Sequence, residues 1–269
     1  MSRANRILQR RDQARQKLAE LMDHPEHVIV VHYSCESFYE RPDGSSPRIT
    51  SIAVRNLESA QTSSFSIHQI AERNKCKKEE IETRYDELEK LMLSEFYDYA
   101  RAHVGYKWLH WNMRNANYGF PALAHRHKIL GGKPPEIPEA NLFDLSRLLV
   151  AIYGIAYIGH PRLTKLMEKN DVSGKDFLDG TEEAQAFKSK EYVKLHQSTL
   201  RKVDVLANIA ERANDGILKT KSDLAKTYRI YPERIGDFLK DHPLVIILSF
   251  VVNIAALGGY IYSWLKPGQ

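Results

Sequence analysis

Apolar and polar positions follow three rhythms along this chain, and each predicts a different kind of element. Val28, Ile29, Val30 and Val31 form an unbroken β-branched run between Pro25 and the turn-rich stretch 41–44, which predicts a strand covered on both faces. Residues 48–56 and 62–70 predict two further strands around a turn at 57–60, so the sheet opens as an antiparallel meander. From about Lys78 to His103 the period becomes helical. Ile81, Tyr85, Leu88, Leu91, Met92, Phe96, Tyr99 and Ala100 form the apolar face, and Gly105 ends the helix. The short aromatic stretch 106–112 predicts a fourth strand returning to the sheet. Helices are then expected at 122–130, 143–153, 162–169 and 189–213, with a turn-rich connection at 174–180.

Ahead of the first strand, Ile7, Leu8, Ala14, Leu18 and Leu21 recur at roughly helical spacing among basic residues, predicting an amphipathic helix within residues 1–24. It packs on the domain or, with its thin apolar face, lies on a membrane surface.

The third rhythm is an apolar run without a charge, from Pro243 to Leu265. About 20 apolar residues cross a bilayer core, so this stretch is long enough to be a transmembrane helix, a buried core helix being the alternative. Lys226, Arg229, Arg234 and Lys240 precede it and only Lys266 follows, which by the positive-inside rule leaves the N-terminal part cytoplasmic and the protein a single-pass, tail-anchored one at the cell membrane. Residues 218–242, polar and broken by Pro232, are expected to form a charged stalk. Ser249, Asn253, Ala256 and Tyr260 share a helical face, and Ala255 and Gly259 make a small-xxx-small pair. Self-association through the anchor is therefore expected.

A formal net charge of +5 permits contact with phosphates or an anionic membrane without requiring either. Cys35 and Cys76 stand in unlike contexts with no CxxC spacing, which argues against a disulfide scaffold or a zinc site.

Candidate chemistry begins where the first apolar run stops. Ser34 and Glu36 lie two apart and so point to the same side of a strand, or Glu36 simply leaves the strand end into solvent. The stretch 109–120 is dense in donors and aromatics. His110, Asn112, Arg114, Asn117 and Tyr118 suit stacking on a base and holding a phosphate, or else they complete a hydrogen-bonded aromatic core. Pro161 suits a first helical position, and Arg162 beside it could bind an anion or pair with a carboxylate. On the last helix, Ser198, Thr199 and Lys202 are neighbours; a Ser-Lys nucleophile would need an oxyanion hole, for which no motif appears.

Three strands, a helix, a strand and then helices, with Ser34-Cys-Glu36 ending strand one, His110-Trp-Asn112 followed by Asn115 and Asn117, and Thr199 five residues before Asp204, resemble the DEDD-type 3′–5′ exonucleases of ribonuclease H-like fold. The resemblance covers about residues 28–213 in order and pattern; 141–147 and Leu163-x-x-Leu166 are similar to the segments around the family's later motifs. It implies an α/β fold, with a ribonuclease H-like mixed sheet and flanking helices over 25–217. It also implies a metal-dependent nuclease site, with Glu36, Asp204 and Asp144 as catalytic carboxylates and the first two as ligands of Mg²⁺ or Mn²⁺.

The departures fall on the functional positions: Ser34 for the first Asp, Asn115 or Asn117 for the second, Thr199 for the His. Two-metal nucleases hold their ions with several carboxylates, and Asp144, at a helix start, suits an N-cap better than a ligand. The expected function is therefore a membrane-anchored exonuclease-like domain that binds nucleic acid or nucleotide at a degenerate site and relays binding to the membrane segment. An active divergent metal nuclease at the membrane face is the alternative. Such a combination would suit a defence or stress effector.

Overall fold

The computed structural model describes residues 3–36, 46–114 and 117–222, and those up to Lys221 belong to one compact unit. Five strands and eight α-helices lie among the described residues. β1 (Val28–Cys35), β2 (Ile49–Asn56), β3 (Thr62–Ser66), β4 (Lys107–His110) and β5 (Leu142–Asp144) form one mixed sheet in the order β3-β2-β1-β4-β5. β2 runs antiparallel to β1 and β3, whereas β4 is parallel to β1 and β5 parallel to β4. The fold is therefore α/β.

The apolar run predicted to be covered on both faces is covered on both faces. All eight residues of β1 are buried. Ile29, Val31, Tyr33 and Cys35 enter one core, with α2 (Ile67–Arg73), α3 (Tyr85–Ala102) and α4 (Phe120–Ile129). Val28 and Val30 enter the other, with α1 (Arg3–Met22), α5 (Leu145–Tyr153), α6 (Arg162–Lys169) and the long α8 (Tyr192–Asn214). The period-2 geometry of a strand makes this division, and it carries His32 and Ser34 onto the α8 side, where the apolar series stops.

α1 lays Ala14, Leu18 and Leu21 into the α8-side core, buries Leu8 and packs on α5, so most of its thin apolar face is spent on the domain; Ile7, expected on that face, is exposed. Three elements depart from expectation. The third strand ends at Ser66, because Ile67, Ile70 and Ala71 bury at helical spacing as α2. β5 is a three-residue strand hidden at the start of the expected 143–153 helix. α7 (Gly180–Lys188) follows the turn-rich connection. Its start is marked by a capping box, in which Asp179 accepts from the Thr181 and Glu182 amides and the Glu182 side chain reaches back to the Asp179 amide.

The domain also ends later than 217. Leu218 is buried, the Lys219 amide donates to Asn170 Oδ1 (2.8 Å), and the Lys221 amide donates to the Tyr157 carbonyl (2.7 Å). The first residues of the expected stalk are therefore part of the domain. Among the described residues no helix is long and apolar enough to cross a membrane. The expected anchor at 243–265 and most of the stalk lie outside the described residues.

Candidate functional site

After β1 the chain turns to β2 on one side, and after β4 it turns to β5 on the other. In an open α/β sheet, such a reversal leaves a crevice beyond the carboxyl ends of the two parallel strands. Here the crevice is a cleft of about 750 Å³. His32 lines it from β1, Trp111, Asn112, Arg114, Asn117 and Tyr118 from the segment after β4, residues 161–164 from the start of α6, residues 177–180 and Glu183 from around α7, and Lys202 from α8.

The segment after β4 folds back on itself through a bridge between Arg114 and Gly119. Gly119, at φ +148°, lies so close to Met113 that a side chain there would collide with the Met113 backbone. Its amide donates to Tyr33 Oη (2.8 Å), while Tyr118 stacks on the Tyr33 ring with centroids 4.5 Å apart. The Tyr118 hydroxyl donates to the Tyr33 carbonyl (3.2 Å) and lies 3.4 Å from His32 Nδ1. A phenol has one hydrogen and a carbonyl can only accept, so His32 Nδ1 carries the ring proton and Nε2 is left as an acceptor, a tautomer assigned from the network.

Beneath the cleft lies a polar seam under α8. Ser34 pairs with Ser51 across the β1–β2 ladder, and Ser51 Oγ is 2.7 Å from Thr199 Oγ1. Thr199 Oγ1 also bonds the Leu195 carbonyl. One helical turn on, Lys202 Nζ meets Glu183 Oε1 at 2.8 Å, and Ser198 Oγ donates to the same oxygen (3.4 Å). Burial, and then the Lys202 charge, holds the His32 imidazole well below its ordinary value, so it is neutral.

The residues singled out from sequence therefore separate. Asn112, Arg114, Asn117, Tyr118 and Lys202 line the cleft together. Ser34 and Thr199 lie fully buried in the seam. His110 lies instead in a neighbouring cavity with Asp144, lined also by Lys17, Glu20 and Arg147, and Arg114 reaches both. There Nδ1 of His110 accepts the Met113 amide (3.2 Å), and burial pushes its pKa down to about 4, against the pull of Asp144.

The three expected catalytic carboxylates do not converge. Asp204, half exposed, pairs with Arg55 (3.1 Å) in a third cavity. Glu36 receives the Arg48 amide (3.4 Å) on the β2 side. Asp144 caps α5 by accepting the Ser146 amide (3.0 Å), takes the Asn112 amide (3.2 Å), and meets Arg114 Nε at 2.5 Å.

Mg²⁺ or Mn²⁺ needs several free carboxylate oxygens. Of the cleft's carboxylates, Glu183 is neutralised by Lys202 and Asp179 caps α7. Among the described residues no group of three or more His, Cys, Asp or Glu could hold a metal ion. The donor set of the described residues does not fit a metal pair.

His32 and Glu183 escaped the sequence reading. His32 carried a usable signal, a polar residue two before Ser34 on the same strand face; Glu183 carried none, because α7 itself went unread. Arg162 is not carboxylate-paired among the described residues: Nη2 reaches the Ile155 carbonyl at 3.4 Å, and its guanidinium sits over the Tyr157 ring. Comparison with protein families, curated proteins and solved structures finds no significant match to this chain.

Proposed function

We propose that this chain is an exonuclease-like domain of ribonuclease H-like fold that binds nucleic acid or nucleotide without cleaving it and relays binding to a C-terminal membrane anchor, which also joins copies of the chain. The observation that carries the reading is the chemistry of the switch-point cleft. It sits where an α/β sheet takes a ligand, and it presents aromatics, amides and Arg162, while its carboxylates are committed, Glu183 to Lys202 and Asp179 to the cap of α7, where a nuclease would need them free. Support for the fold comes from chain order: a three-stranded antiparallel run, helices, then a strand returning parallel beside β1.

The experiment uses the full chain in detergent with labelled single-stranded and duplex DNA and RNA, in Mg²⁺ and in Mn²⁺. Saturable binding with intact substrate is expected. Cleavage that disappears in Glu36→Ala and Asp204→Ala would replace this reading with a divergent nuclease. For the relay, the expected outcome is ligand-dependent leakage of vesicles carrying the reconstituted chain, absent after deletion of residues 243–269.

A further inference from the structure

The start of α6 opens into the cleft through Pro161, Arg162, Leu163 and Thr164. Pro161 holds the cap position, and no side chain satisfies the first-turn amides of α6. Those amides have no partner within the helix, and the positive end of its dipole favours an anion.

An uncapped helix start says little alone, but two unpartnered polar atoms accompany it. His32 is over nine-tenths buried, lines the cleft, and has no partner for Nε2, which the Tyr118 network leaves as an acceptor. Arg162 Nε is buried and unpartnered as a donor. Leaving such groups unmade is costly, and a ligand that accepts at one end and donates at the other would satisfy both. The positive charge facing that ligand comes from Arg162 and the helix end, because Lys202 is offset by Glu183 and the described donors of the cleft do not fit a divalent ion.

We infer that the cleft binds a nucleotide phosphomonoester without a divalent metal. The phosphate sits at the start of α6 against Arg162, and His32 Nε2 accepts a hydrogen bond from a hydroxyl or amine of the same ligand. The inference rests on the proposed reading of the cleft as a nucleotide or nucleic-acid site. A volume of about 750 Å³ suits one nucleotide unit, which is either a free mononucleotide or the phosphorylated end of a strand.

The test is titration calorimetry of the full chain in detergent, in EDTA and in Mg²⁺. The probes are the four nucleoside 5′-monophosphates, the matching nucleosides, and one oligonucleotide with and without a terminal phosphate. Expected is binding in EDTA of a phosphorylated probe at least tenfold tighter than its phosphate-free counterpart. Arg162→Gln should erase that difference, and His32→Phe should weaken binding about tenfold. Binding by a mononucleotide identifies the free ligand; binding by the phosphorylated strand alone identifies a strand end. If binding requires Mg²⁺, or if phosphate makes no difference, the inference falls while the ligand-binding reading stands. If folded protein binds none of the probes, both fall.

Discussion

Lys202 Nζ lies 2.8 Å from Glu183 Oε1, and both side chains are more than nine-tenths buried. The pair joins α8 to α7 at the edge of the cleft, so it shapes the site as well as holding the helices. Removing one member of a buried pair leaves an uncompensated charge, which costs about 3–5 kcal/mol, whereas replacing both by apolar groups is often near neutral. Lys202→Met should therefore lower stability by about 3–5 kcal/mol. Lys202→Met combined with Glu183→Leu should recover most of that loss without restoring ligand binding. Urea unfolding of the three proteins checks this, and a single variant as stable as the parent would show that the pair is not buried in solution.

Gly119 fixes the loop that carries Asn112, Arg114, Asn117 and Tyr118. Its φ of +148° and its approach to Met113 leave no room for a methyl group. Gly119→Ala should cost roughly 1–3 kcal/mol through forced backbone movement, and it should weaken ligand binding because Tyr118 loses its seat on Tyr33. A thermal melt beside a binding titration measures both. Reduced stability with unchanged affinity would mean that the loop does not build the site.

How far the sequence could be read depended on element length. β1 and α8 are long and strongly periodic, and their places were legible. β5 was not, because three residues running directly into a helix cannot show a period of two. α2 was hidden because Phe65 and Ile67 alternate as in a strand, and only Ile70 and Ala71, three and four residues beyond Ile67, mark so short a helix. The site was half legible. The polar stretch after β4 announced its loop, and Lys202 could be placed on the α8 face, but its partner Glu183 is distant in sequence and sits on an unread helix. The carboxylate set taken from the resemblance failed on geometry: Asp204 belongs to Arg55, and Asp144 to a cap.

Buried imidazoles set the acid limit of the fold. Burial, and then the neighbouring His68, pushes His196 down to about 4, and burial pushes His110 to about 4 as well, from an ordinary value of 6.5. The unfolded chain takes up these protons near pH 6.5 while the folded chain refuses them until about pH 4. Unfolding therefore binds protons, and stability falls as pH drops through that window; above it these groups contribute no slope. Each contributes at most about 1.4 kcal/mol per pH unit. Between pH 6.5 and 5, before most carboxylates titrate, the melting temperature should fall, and His196→Leu should flatten the slope. An unchanged slope in His196→Leu would mean that His196 titrates as it does in the unfolded chain.

Asp144 offers the sharpest separation between a structural carboxylate and a catalytic one. One of its oxygens accepts the Ser146 and Asn112 amides, and the other meets Arg114. Asn caps a helix about as well as Asp, whereas Ala loses a cap worth about 0.5–2 kcal/mol. If Asp144 serves as cap and clamp, Asp144→Asn should keep most of the stability that Asp144→Ala loses. Both should free Arg114 and so change affinity in the cleft together. A metal ligand would behave otherwise, because an amide replaces a carboxylate poorly on a hard divalent ion, so both variants would lose any Mg²⁺ or Mn²⁺ dependence alike, whatever their stability. Unfolding midpoints and ligand titrations of the two variants, with and without Mg²⁺, decide the matter: a stability gap between Asn and Ala with metal-independent binding supports the cap, and loss of a metal-dependent activity in both supports the ligand.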